Sequence, residues 1–267
     1  MSEKRESLRK AQELLSSEDN SSLRHAALEL RRCLEAIVYE KLWAYRDRIP
    51  ADVARKWQPP QAFRALLVFE PDAAQTATYR FARESEPGVP AEPFRTLGTD
   101  IRPEPGWLNR TYNKLGSFLH AAWPFSRSQA SPDPAATREY LGAVAAQLEP
   151  FVTSTFTATF ATITEFSCFE CGTTVKANAE ALAKIGELEC LNTDCGCRYF
   201  VTPDGDGFVF ELDAKHLGCA QCGVDIRIPT QRIKLDFEFA CSACATRYKV
   251  TEQQWGASRV EPSGNQT

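Results

Sequence analysis

The chain has 267 residues, 43% hydrophobic and 25% charged, with a formal net charge of −4 at neutral pH. This is the balance of an ordinary globular protein, with enough chain for one large or two small domains. No run of eighteen apolar residues occurs and the start MSEKRESLRK is polar throughout, so neither a membrane-spanning helix nor a secretory signal is expected. The ten cysteines are then those of a cytoplasmic protein, where thiols stay reduced and cysteines paired at short spacing read as metal ligands rather than disulfides.

The first half reads as helices separated by proline-rich breaks. Leu8, Ala11, Leu14 and Leu15 fall on one face of a first helix, which the polar stretch SSEDNSS ends, and Ser21 is placed to cap the next. In that second helix Leu23, Ala27, Leu30, Leu34, Ile37, Val38, Leu42 and Tyr45 recur at three- and four-residue steps, with Arg31, Arg32, Glu35 and Lys41 on the outer side, up to Pro50. Cys33 falls on its apolar side, as a small buried residue would. A shorter helix spans QAFRALLVF, and a short strand is expected at ATYRFAR within the proline-rich stretch from Glu70 to Arg102. Helical spacing resumes over GWLNRTYNKLGSFLHAAW through Leu108, Tyr112, Leu115 and Leu119. Asp133 and Pro134 form a cap and first-turn pair for a helix through Leu141, Val144, Leu148 and Val152. The following FVTSTFTATFATITEF suits a strand by composition and a helix by phenylalanine spacing.

The second half repeats itself with a period of about fifty residues. CFECGTTVK from Cys168 lies over CAQCGVDIR from Cys219, and Cys190 falls over Cys241 in the same register. After a two-residue insertion, Cys195-Gly-Cys-Arg-Tyr falls over Cys244-Ala-Thr-Arg-Tyr. Each copy holds two cysteine turns separated by eighteen residues: Cys168 and Cys171 with Cys190 and Cys195, then Cys219 and Cys222 with Cys241 and Cys244. That spacing is the zinc-ribbon pattern, and four thiolates suit zinc because the ion accepts a closed tetrahedral sulfur shell. The alignment takes Cys195 as the fourth ligand of the first ribbon and leaves Cys197, over Thr246, as a spare thiol. In the second ribbon Ile233, Leu235, Phe237 and Phe239 alternate with Arg232, Lys234, Asp236 and Glu238, the pattern of a half-buried strand. With all four positions filled, the expected ions, two zincs per chain, are structural, and His216 is superfluous as a ligand.

From Phe166 to Glu252 there are nine Lys and Arg against thirteen Asp and Glu, which argues against nonspecific phosphate binding. One local exception is Arg227, Arg232, Lys234, Arg247 and Lys249 with Tyr248 among them, a candidate partner-binding strip through which the second ribbon could meet DNA, RNA or an acidic protein. No phosphate-binding glycine loop and no nucleophile elbow occurs.

LRHAALELRRCLEAIVYEKL and YNKLGSFLHA resemble the long early helix and the later motif helix of the HEPN superfamily, helical domains of bacterial toxin and phage-defence proteins. The resemblance implies a homodimer. In active members it implies ribonuclease action by an Arg and a His separated by four to six residues. Here His120 could take the histidine's place, but Lys114 stands at the permitted spacing, and Arg110, nine intervening residues away, is too far. Lysine lacks the bidentate fork of arginine, so no catalytic residue is assigned, Lys114 and His120 being the alternative pair.

The expectation is an α+β protein: an α-helical, HEPN-like domain over 1–164, zinc ribbons over 165–214 and 215–254, and a flexible tail over 255–267. Its expected role is that of a zinc-binding adaptor with a protein or nucleic-acid partner, in a bacterial defence setting by the resemblance. The alternative is a HEPN-type ribonuclease targeted or regulated by its ribbons.

Overall fold

The computed structural model describes residues 2–50, 53, 56–120 and 133–251. The expected tail and the stretch after His120 lie outside them. The protein is α+β, a helical N-terminal region followed by small antiparallel sheets. It forms two compact units, one of Met1–Phe166 with Thr174–Ile185, the other of Ser167–Thr173 with the chain from Gly186 onward.

The first unit is built on α1 (Glu3–Ser16), α2 (Ser22–Ala44), α3 (Pro59–Phe69), α4 (Pro105–Ser117) and α5 (Pro134–Thr153). Their apolar stripes close one core containing Leu8, Leu30, Leu34, Phe63, Leu115 and Leu148. The eight apolar positions of the expected stripe, seven on α2 and Tyr45 just past its end, are all buried, as is Cys33. Asp133 caps α5 by accepting from the backbone N–H groups of Ala135 and Ala136 at 3.1 and 3.4 Å. Ser21 does not cap α2 with its side chain; Ser22 instead ties the helix start back by donating to the carbonyls of Leu14 and Asp19. The helix after Pro105 stops at Ser117, short of the expected span.

Between α3 and α4 the chain forms β1 (Ala77–Phe81), β2 (Glu84–Glu86), β3 (Val89–Pro90) and β4 (Arg95–Asp100), with β1 paired to β4 and β2 to β3. The threonine-rich stretch is neither helix nor strand over 154–162, and only Ile163–Ser167 (β5) is a strand. Its rings account for its composition: Phe156 and Phe160 pack on Tyr79 with centroids 5.6 and 4.9 Å away. A Cβ on Gly98 would meet the Phe156 ring at 2.6 Å, so this position must stay bare.

Lys41, expected on the outer side of α2, is instead buried and pairs with the fully buried Asp100. Asp100 also accepts from Arg102 Nη2 at 2.7 Å and Nε at 3.0 Å, and from the Ala158 N–H at 3.2 Å. Arg102 donates onward to the carbonyls of Asp72 and Ala158. One carboxylate thus fastens α2, β4 and the threonine-rich segment together. A second buried pair, Arg48 and Glu70 at 3.3 Å, receives Asn178 Nδ2 at 3.2 Å. Asn178 ends β6 (Thr174–Asn178) and its Oδ1 caps α6 (Ala179–Ile185), so the middle of the first cysteine repeat belongs to the helical unit.

Burial alone would raise the Asp100 carboxyl, but hydrogen bonds from Lys41 and Arg102 outweigh it and hold the group below its ordinary value. A depressed carboxyl stabilises the fold above the unfolded pKa of about 4 and loses that contribution as pH falls through the lower folded value. Acid unfolding of the helical unit should therefore begin below about pH 4. Asp100→Ala, which strands two buried cations, should cost about 3–5 kcal/mol in urea denaturation at neutral pH; a loss under 1 kcal/mol would contradict this account.

Candidate metal centres

The second unit continues with β7 (Glu187–Glu189), β8 (Arg198–Asp204), β9 (Gly207–Leu212), β10 (Ala214–Gly218), β11 (Asp225–Pro229), β12 (Glu238–Ala240) and β13 (Arg247–Lys249). β7, β8 and β9 form a three-stranded sheet; β10 pairs with β11 and β12 with β13. The strand expected over 232–239 is reduced to Glu238–Ala240. Thr230–Arg232 makes a 3-10 turn, Asp236 takes a positive φ of 67°, and Leu235 is 61% exposed. Alternation there reflects a folded-back loop whose Phe237 and Phe239 still reach the small core of Ile226 and Ile228.

The turns carrying the cysteines are built alike. In the first repeat the Cys168 N–H donates to the Thr173 carbonyl and the Gly172 N–H to the Cys168 carbonyl, both at 2.9 Å. In the second, Cys219 to Val224 and Gly223 to Cys219 do the same at 2.8 Å. The tight return needs a positive φ after the second cysteine, 70° at Gly172 and 73° at Gly223, which glycine adopts without a steric penalty. The closing turns end on Gly196 and on Ala245, whose φ is 58°. The two-residue insertion in the first repeat is absorbed by Asn192, whose carbonyl receives the Cys195 and Gly196 N–H groups.

These turns bring together the eight cysteines that the spacing singles out. Cys168, Cys171, Cys190 and Cys195 form one group and Cys219, Cys222, Cys241 and Cys244 another, with all sulfurs of a group within 4.8 Å of one another. Nearest sulfurs are 3.7 Å apart for Cys168 and Cys195 and 3.6 Å for Cys171–Cys190, Cys219–Cys244 and Cys222–Cys241. A disulfide requires about 2.05 Å. A tetrahedral ion with metal–sulfur bonds of ~2.3 Å has sulfur–sulfur edges of ~3.8 Å, so each group can hold a metal ion with little movement. Neither group includes a histidine or carboxylate. His216 is engaged elsewhere, its Nδ1 2.6 Å from Asp225 Oδ2.

Cys197 is fully buried and lies outside the group. Its carbonyl accepts the Cys190 N–H at 2.8 Å, as the Thr246 carbonyl accepts that of Cys241 at 2.9 Å. Burial, reinforced by the neighbouring Cys195, pushes its thiol up to about 12, so it stays protonated.

The repeated Arg-Tyr has a role that spacing did not disclose. The Tyr248 hydroxyl donates to Cys219 Sγ at 3.1 Å and accepts from the Ala220 N–H at 2.9 Å. The Tyr199 hydroxyl sits 3.0 Å from Cys168 Sγ and accepts from the Phe169 N–H at 3.0 Å. Each tyrosine therefore braces the first cysteine of its set. The Tyr248 hydrogen bond draws the Cys219 thiol down to about 6 and raises the phenol in turn. Thr173 Oγ1 lies 3.2 Å from Cys171 Sγ and Thr246 Oγ1 3.2 Å from Cys244 Sγ. Burial opposes ionisation of Cys171, but hydrogen bonds with the Thr173 hydroxyl and N–H bring it to about 6. Cys171 and Cys219 are thus drawn toward the thiolate, whereas burial raises the thiol of Cys190 and the hydrogen bond with Cys244 raises that of Cys222.

Most of the basic strip is engaged. Arg232 pairs with Glu170 at 3.3 Å, Arg247 with Glu238 at 2.7 Å and Lys249 with Asp236 at 2.7 Å. The Tyr248 ring stacks on Phe239, with centroids 5.4 Å apart, so one of its faces is already taken. Arg227 and Lys234 are exposed. In the helical unit, Lys114 Nζ lies 5.1 Å from the Phe118 ring centroid, and His120 is exposed, beyond the end of α4.

Removing the bracing hydroxyl should weaken the site without unmaking it. Tyr248→Phe is expected to lower metal affinity of the second site about 10–100-fold, read by chelator competition; unchanged affinity would show that the hydroxyl does not support the ligand.

A scan against family models finds no match, and searches of curated proteins and of solved structures find no similar chain.

Proposed function

We propose that the two cysteine groups are structural zinc centres of paired zinc ribbons, and that the protein is a recognition or adaptor protein. The observation that carries this reading is the make-up of both sites: four sulfurs within 4.8 Å of one another, with no histidine or carboxylate among them, would fill a tetrahedral shell and leave no position for water or substrate. Zinc is the ion that a closed four-thiolate shell favours, and its binding supplies folding free energy, on the order of 10–16 kcal/mol, above all to the second module, whose own core is little more than Ile226, Ile228 and two of the cysteines. On the HEPN resemblance, the helical unit serves docking or dimerisation, in a bacterial defence setting. A protein partner is favoured over nucleic acid because three of the five strip bases already face carboxylates.

Purified protein should contain two zinc ions per chain by elemental analysis; one or none would refute the pairing. Cys219→Ser should unfold the second ribbon while the helical circular-dichroism signal persists, because the α-helical core contains none of these ligands. The zinc-loaded protein should neither cleave RNA nor bind it at physiological salt. Cleavage abolished by His120→Ala, with folding unchanged, would replace this reading with that of a HEPN-type ribonuclease. RNA binding whose salt slope falls by about one unit per base removed at Arg227 or Lys234 would make the partner a nucleic acid.

A further inference from the structure

The two cysteine modules are joined by more than chain continuity. Asp213, between β9 and β10, is the junction. Its N–H donates to the Arg198 carbonyl at 2.8 Å on the first module's β8, and its carbonyl accepts the Thr230 N–H at 2.9 Å. Its carboxylate accepts from Thr230 Oγ1 at 2.7 Å and Gln231 Nε2 at 3.0 Å, so every polar group of the residue holds one module to the other. The next residue of the same turn, Arg232, reaches Glu170 at 3.3 Å, and Glu170 lies inside the turn between Cys168 and Cys171.

The path between the sites is short and continuous. Cys222 opens into β11, which runs from Asp225 to Pro229 directly into the Thr230–Arg232 turn. That turn is clamped by Asp213 at one end and grips the first module's cysteine turn at the other. Disordering of the second site would release the turn, and with it Glu170 and the backbone that presents Cys168 and Cys171.

From this geometry we infer that Asp213 and Arg232 are positioning residues that couple the two metal sites, so that each ion is bound more tightly when the other is present. The inference rests on the zinc reading given above. Coupling of two sites through one element is reciprocal and typically amounts to about 5–150-fold in affinity. Hydrogen bonds to the Asp213 carboxylate carry most of it, since charge-assisted bonds are the stronger kind and the Arg232–Glu170 pair is partly solvated.

The test is an equilibrium competition titration of the full chain with zinc and a chelator of known affinity. Wild type is compared with the single-site variants Cys171→Ser and Cys222→Ser. The overall two-ion constant of wild type should exceed the product of the two single-site constants by at least about fivefold. In an Arg232→Gln, Asp213→Asn background the same factor should fall toward one while each single-site constant changes little; a merely structural role would lower the single-site constants and leave the factor unchanged. If Asp213→Asn does not fold, Glu170→Gln and Arg232→Gln alone should still lower the factor measurably. A wild-type chain that holds two zincs with a factor of one overturns the coupling and leaves the zinc reading intact, whereas a chain that binds no zinc overturns both.

Discussion

The second unit depends on bringing four sulfur atoms, twice over, to within a single coordination sphere. In the second module the apolar groups are too few to do this by burial: its buried cluster is two isoleucines and two of the ligands themselves. The backbone therefore prepares the sites locally. Paired hydrogen bonds fold each first turn, a positive φ reverses it, and each cysteine turn sits at the tip of its own strand pair, β5–β6 and β7–β8 in the first module, β10–β11 and β12–β13 in the second. What remains, the mutual repulsion of four thiolates, is what a divalent ion neutralises. The hydroxyls of Tyr248, Thr173 and Thr246 stabilise individual thiolates, and that of Tyr199 contacts Cys168.

The helical unit meets a related difficulty without a metal. Its apolar core is ordinary, but the unit also buries a carboxylate with no exposure, and the structure answers with two cations and a backbone N–H. Such a cluster adds less stability than apolar residues of the same volume could, and loses much when any member is removed. Its effect here is positional. The threonine-rich segment lacks a ladder of its own and is held by Asp100 and Arg102 and by aromatic contacts with Tyr79. The segment is thereby held within the helical unit.

These two devices bear on function in different ways. An ion held by four sulfurs would have its tetrahedral shell filled, with no position left for substrate. Asp213 and the Arg232–Glu170 pair add hydrogen bonds and an ion pair between the two small modules beyond the chain that links them.

The amino-acid sequence by itself determined the elements that obey a local rule. The stripe on α2 is fixed by a 3.6-residue period, the Asp133 cap by hydrogen-bond reach, and the two cysteine groups by a repeat in which every ligand but one keeps its register. The tertiary structure alone decided whatever depends on residues distant along the chain. Lys41 looks like an outer-face lysine until Asp100, 59 positions away, is seen beside it. Phe156 and Phe160 read equally as strand or helix until Tyr79 supplies their partner. The bases at 232, 247 and 249 look like a free strip until Glu170, Glu238 and Asp236 close on them. The repeated tyrosine was visible as a letter, but its hydroxyl's aim at a cysteine sulfur 29 or 31 residues upstream is set by the folding of each hairpin. Local periodicity records which face of an element is apolar; which charge or ring meets that face is a property of long-range packing, and no spacing rule along the chain encodes it.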